Sequence, residues 1–159
     1  MPDIESTDGD NERRKLETRI WLQILSVEST VFMRLNGVLA SECGLSVAKF
    51  EFLAQVNRFP EGISLGRISA NLKVTSGNVS GLVRRLVADG LITKTMSQDD
   101  RRSFFVRFTP EGEALFDKAN ALHARTLAAC FASASSDELQ NQLLALRSLS
   151  ARVQERTNA

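Results

Sequence analysis

The sequence predicts a mainly α-helical chain with a small β-hairpin wing, a winged helix-turn-helix carried between long N- and C-terminal helices. Three observations predict it. Between Ser64 and Gly90, apolar residues recur every three or four positions in two short runs separated by a turn at Lys73 and Val74. Leu91 to Met96 and Phe104 to Phe108 then read as two strands around a polar tip. Outside this stretch, helical apolar stripes run from about Arg13 to Ser41 and again after Pro110.

Residues 1–12 are acidic, with no base before Arg13 and no apolar period, and read as a flexible arm. The first helix carries Leu16, Ile20, Ile24, Val27, Val31, Leu35 and Val38 on one stripe, widened by Trp21, Leu25 and Phe32. Gly44-Leu45 ends this N-terminal part, and Ser46 starts a second helix with Val47, Phe50, Leu53 and Ala54 facing inward. Lys49 stands where a capping box would need Glu or Gln, so that cap is a simple one. Phe59-Pro60-Glu61-Gly62 turns the chain into Ile63.

Ser64 can cap the next helix, whose inward residues are Leu65, Ile68 and Leu72. After the turn, Thr75 or Ser76 caps a second helix with Val79, Leu82, Val83 and Leu86 on its buried stripe. Gly90 falls where a left-handed C-terminal residue is needed. The other face of this helix is small and polar: Ser76, Gly77, Ser80, Gly81 and Arg84, flanked by Asn78 and Arg85. Such a face fits a groove floor. In a DNA major groove an amide such as Asn78 can pair with adenine, hydroxyls such as Ser76 and Ser80 can bond either kind of base edge, and Arg84 and Arg85 can read guanine or clamp phosphate. Thr75, at the helix entry, belongs to the same candidate set.

Phe104, Val106 and Phe108 alternate with Phe105 and Arg107, the pattern of a half-buried strand. The hairpin tip, Ser97 to Ser103, holds Asp99, Asp100, Arg101 and Arg102. An arginine there can enter the minor groove, and a neighbouring aspartate can hold it in place.

The net charge over the 159 residues is only +1. Its distribution is uneven. Gly66 to Arg107 holds eight Lys or Arg against three Asp, a local +5 that leaves −4 for the remainder of the chain. Positive charge thus gathers on the stretch proposed to face DNA.

These motifs resemble those of the MarR family of transcriptional regulators. The resemblance rests on Leu86-Val87-Ala88-Asp89-Gly90-Leu91-Ile92, on Asp100-Arg101-Arg102, and on Phe108-Thr109-Pro110-Glu111-Gly112, where an aliphatic residue is commoner than Phe108. It implies that Asp100 is the structural partner in the wing, Arg102 the minor-groove residue and Arg101 a further backbone contact. It also implies a division into an N-terminal dimerisation helix (13–45), a DNA-binding domain (46–109) and C-terminal dimerisation helices (110–159), interlocked across a two-fold axis as a homodimer. Without the resemblance, an intramolecular three-helix bundle would account equally well for the apolar termini. Small effectors, often aromatic acids, bind family members between the dimerisation helices and the winged domain. Phe50 matches a position that can line that pocket, with Trp21 and Arg58 as further candidates; core packing or helix surface is the alternative for all three.

His123 stands alone, without Cys or Asp at ligand spacing, so no metal or cofactor is expected. Cys43 and Cys130 are too few and too far apart for a zinc or disulfide framework. No nucleophile-base pair, paired carboxylates or phosphate-binding glycine loop points to an enzyme. A soluble, cytoplasmic protein is expected, since neither a signal peptide nor a membrane span is legible. The function read from sequence is a dimeric, sequence-specific DNA-binding regulator, a repressor acting on double-stranded DNA and tuned by a small effector. The alternative is a winged-helix protein-interaction module.

Overall fold

The computed structural model describes residues 5–72, 76–96 and 104–157. Among the described residues six helices and three strands follow in the order α1 (Glu5–Cys43), α2 (Val47–Asn57), β1 (Ile63–Ser64), α3 (Leu65–Leu72), α4 (Ser76–Ala88), β2 (Ile92–Met96), β3 (Phe104–Phe108), α5 (Pro110–Cys130) and α6 (Ser136–Thr157). The chain divides into two compact units, one ending at Thr126 and the other starting at Leu127. That boundary falls within α5.

The expected elements are present, with two differences. First, α1 begins at Glu5, so helix runs through most of the segment read as an acidic arm. Carboxylates suit a helix N-terminus, and Lys15 and Arg13 pair with Glu12 and Glu17 one turn away. Second, the wing is not a bare hairpin. β1 adds a third antiparallel strand in the order β1-β3-β2, pairing Ile63 with Val106 and Ser64 with Phe105. The helical stretch after Pro110 is split in two, α5 ending at Cys130 and α6 starting at Ser136.

The core of the first unit lies where α2, α3, α4 and the sheet converge. Phe52, Leu53, Val56, Ile63, Ile68, Leu86, Ile92 and Val106 are all buried to within 2% of completely. Phe52 and Val56 belong to this core although the sequence pattern assigned neither inward. The polar contact inside it is satisfied: buried Gln55 accepts from the Asn71 amide at 2.9 Å, tying α2 to α3. Caps close the helices as their residue types require. Ser46 Oγ accepts from Lys49 N–H at 3.2 Å and Ser64 Oγ from Arg67 N–H at 3.3 Å. Asn36 Oδ1 on α1 accepts from Val47 N–H, holding the α1–α2 corner.

Helix α1 is different. Leu35 and Leu39 are buried at its C-terminal end, but Leu16, Ile20, Trp21, Leu22, Ile24, Leu25 and Val27 are exposed, Trp21 by 57%. In the second unit, α6 opens on a capping box in which Ser135 and Glu138 bond reciprocally, and it leaves Leu143, Leu144, Leu146 and Val153 exposed.

Candidate nucleic-acid interface

Helix α4 is held from its inner face. Val79, Val83 and Leu86 are at most 2% exposed, which commits the opposite face to solvent. Gly77, Asn78, Ser80, Arg84 and Arg85 are exposed there, as the sequence pattern requires. Among the described residues neither Arg84 nor Arg85 has an ion-pair partner, so both guanidinium groups are available to phosphate or base. Ser76 is the first residue of α4. Thr75, Asp100, Arg101 and Arg102 lie outside the described residues.

The helix exit is fixed by a compact knot of backbone contacts. Gly90 adopts φ 72°, the left-handed conformation that ends α4, and Leu91 N–H reaches back to Leu86 O at 2.9 Å. Thr109, capping α5, donates its hydroxyl to Gly90 O at 2.6 Å and accepts from Gly112 N–H at 3.0 Å. Thr109 N–H bonds Leu91 O at 3.1 Å. The Thr-Pro-x-Gly run therefore docks the start of α5 on the end of α4 and the root of the wing. Lys49 of α2 adds an ion pair to Asp89 Oδ2 at 2.6 Å.

Other basic residues of the +5 stretch are engaged locally. Arg67 lies over the Phe59 ring at 4.2 Å, Lys94 over Phe104 at 3.9 Å, and Arg107 donates Nε–H to Glu61 O. They brace the turn before β1 and the two wing strands.

The three effector-pocket candidates stand at different places on α1 and α2. Phe50 is 5% exposed and stacks on Phe116, with ring centroids 5.6 Å apart, and on His123 at 4.6 Å. Those partners stand two turns apart on α5, about 10 Å of helix rise, so the Phe50 ring lies between them. This is the core-packing alternative. Trp21 is exposed on α1, and Arg58 is exposed at the C-cap of α2, about 12 Å along that helix from Phe50. His123, half-buried, has its pKa lowered, chiefly because burial penalises the charged ring, with Glu51 opposing the shift. A signal in sequence for this stack was thin: Phe50, Phe116 and His123 are distant in the chain. Lys49 and Asp89, forty residues apart, were equally hard to pair.

The MarR family profile matches residues 44–103. The chain is 40% identical to a MarR family transcriptional regulator from Silicibacter pomeroyi of known crystal structure, covering 89% of this chain and 97% of that one with a TM-score of 0.77. The chain belongs to the MarR family. It is also 31% identical over 108 residues to the HTH-type transcriptional regulator YkoM of Bacillus subtilis, covering 67% of this chain and 68% of YkoM. A MarR variant from E. coli solved in complex with operator DNA shares the fold, with a TM-score of 0.76 at 20% identity over 82% of this chain and 93% of that one. The three-stranded sheet and the two-helix unit before it are thus those of a MarR-family winged-helix transcriptional regulator. Among the described residues no helix is long and apolar enough to cross a membrane.

Proposed function

We propose that this MarR-family chain is a homodimeric, sequence-specific DNA-binding repressor of pseudo-palindromic operators, modulated by a small effector. The observation that carries the DNA reading is α4: an apolar face buried to within 2% at Val79, Val83 and Leu86, and an outer face of Gly77, Asn78, Ser80, Arg84 and Arg85 left open. Its N-terminal end enters the major groove, with Asn78, Ser80 and Ser76 toward base edges and at least one of Arg84 and Arg85 on phosphate. Thr75 at the helix entry, with Arg101, Arg102 and Asp100 in the wing, completes the proposed contact set.

The dimer reading is supported by α1. A soluble monomer rarely exposes a contiguous apolar surface of this kind, and Leu16, Ile20, Ile24 and Val27 recur at the spacing of a helix-packing stripe. Residues 13–45 and 110–159 would form the two-fold interface, leaving 46–109 to read DNA. Two copies would set their α4 helices about one turn of DNA apart, roughly 34 Å.

For the effector, a cavity of about 300 Å³ opens between α2 and α4, with Ala48, Glu51, Asn78 and Arg85 among its walls. A small aromatic acid bound there would set its carboxylate on Arg85. It would occupy two side chains that operator binding needs.

Selection of the purified chain against a pool of random duplexes, with salt titration of the winners, tests the reading. An enriched inverted repeat with a steep salt dependence is expected. Salt-insensitive behaviour without enrichment would favour the protein-interaction module.

A further inference from the structure

We infer that the Lys49–Asp89 ion pair is a positioning latch that aims the recognition helix; the inference rests on the DNA reading of α4. Asp89 directly follows the last residue of α4, and its N–H bonds Arg85 O at 2.8 Å. A carboxylate at that end opposes the helix dipole, whereas an ammonium complements it. Lys49 supplies the ammonium from α2, 2.6 Å from Asp89 Oδ2. Its side chain is 19% exposed, so the stem is packed and the charge is delivered from a fixed place. Its backbone is fixed as well, because Lys49 N–H is the group that Ser46 caps.

The leverage comes from distance. Asn78 lies eleven residues before Asp89, about 16 Å along the helix, so a tilt of about 4° at the exit displaces it by about 1 Å. Base-edge hydrogen bonds lose most of their value over such a shift. The knot at Gly90, Leu91 and Thr109 fixes the exit from the wing side, and Lys49 fixes it from the α2 side. A partly exposed pair adds little to global stability. Its effect should therefore appear in the orientation of α4 rather than in the fold.

Asp89→Asn separates this from simple electrostatics. The variant removes a negative charge, so general attraction to phosphate predicts tighter binding to every duplex. The latch predicts the opposite on the selected inverted repeat: a loss of up to about fivefold, with binding to random duplex unchanged or stronger and the unfolding midpoint nearly unmoved. Lys49→Met, which keeps the stem, should show the same fall in the ratio of specific to nonspecific affinity. The exchange Lys49→Asp with Asp89→Lys should restore that ratio, since each charge then also suits its helix end. An unchanged ratio in Asp89→Asn, or no recovery in the exchange, overturns the latch while leaving the DNA reading intact. A wild-type chain that prefers no duplex overturns both.

Discussion

Gly112 sits directly on the backbone of Leu91. A Cβ built at Gly112 would overlap the Leu91 carbonyl oxygen and stand 2.7 Å from its carbonyl carbon. The obstacle is backbone, already held by Thr109 N–H, and cannot swing aside as a side chain can. Gly112→Ala must therefore push α5 off the wing root. We expect a loss of about 2–4 kcal/mol, read as a lowered urea midpoint. A midpoint equal to wild type would show that the junction yields freely.

Thr109→Val keeps the shape of the side chain but removes the hydroxyl that bridges Gly90 O and Gly112 N–H. Loss of this cap should lower stability by about 1–2 kcal/mol. Thr109→Ser, which retains the hydroxyl, should recover most of it in the same denaturation assay.

His123 gives the fold an acid-side sensitivity. Burial lowers its pKa, with Glu51 partly countering, so the folded state binds this proton less readily than the unfolded chain. Its neutral-state stability is fully present above the unfolded value of about 6.5 and is lost as pH falls through the folded value. Thermal unfolding followed from pH 7.5 down to 5 should show a smaller drop for His123→Phe, which preserves the stack on Phe50. Parallel curves for the two proteins would remove His123 from the explanation.

Asn78 tests sequence reading. If its amide pairs with a base, Asn78→Ala should relax preference at one base pair by about 1–3 kcal/mol while leaving other positions alone. Uniform weakening on all duplexes would reassign Asn78 to the phosphate backbone.

Trp21, the sole tryptophan and 57% exposed on α1, reports on assembly. In a dimer packed through α1 its emission should move to the red on dilution, and Ile20→Lys should yield a monomer by sedimentation. Concentration-independent emission and sedimentation would count against the α1 interface.

Much of this was legible beforehand because it depends on local chemistry. The Phe104–Phe108 alternation matched β3 to the residue, Ser46 and Ser64 cap as their hydroxyls suggest, and Gly90 takes its positive φ. Strand β1 was not legible, since two residues carry no period and Ile63 becomes strand only by pairing with Val106. The start of α1 was misplaced because an acidic, non-amphipathic segment is helical here without an apolar stripe to signal it. The stack of Phe50 on Phe116 and His123 forms only once α5 packs on α2, so no spacing in sequence announces it. The contact of Lys49 with Asp89 likewise exists only once α2 and α4 pack.

In the proposed function α4 reads DNA by sequence as one half of a symmetric dimer. The most direct measurement is the affinity of the wild-type chain for its selected inverted repeat, for a single half-site and for a scrambled duplex, each across a salt series. Tightest binding to the full repeat is expected, with a marked loss on the half-site and affinities that fall steeply with salt. Equal affinity for all three duplexes, or binding indifferent to salt, would contradict it.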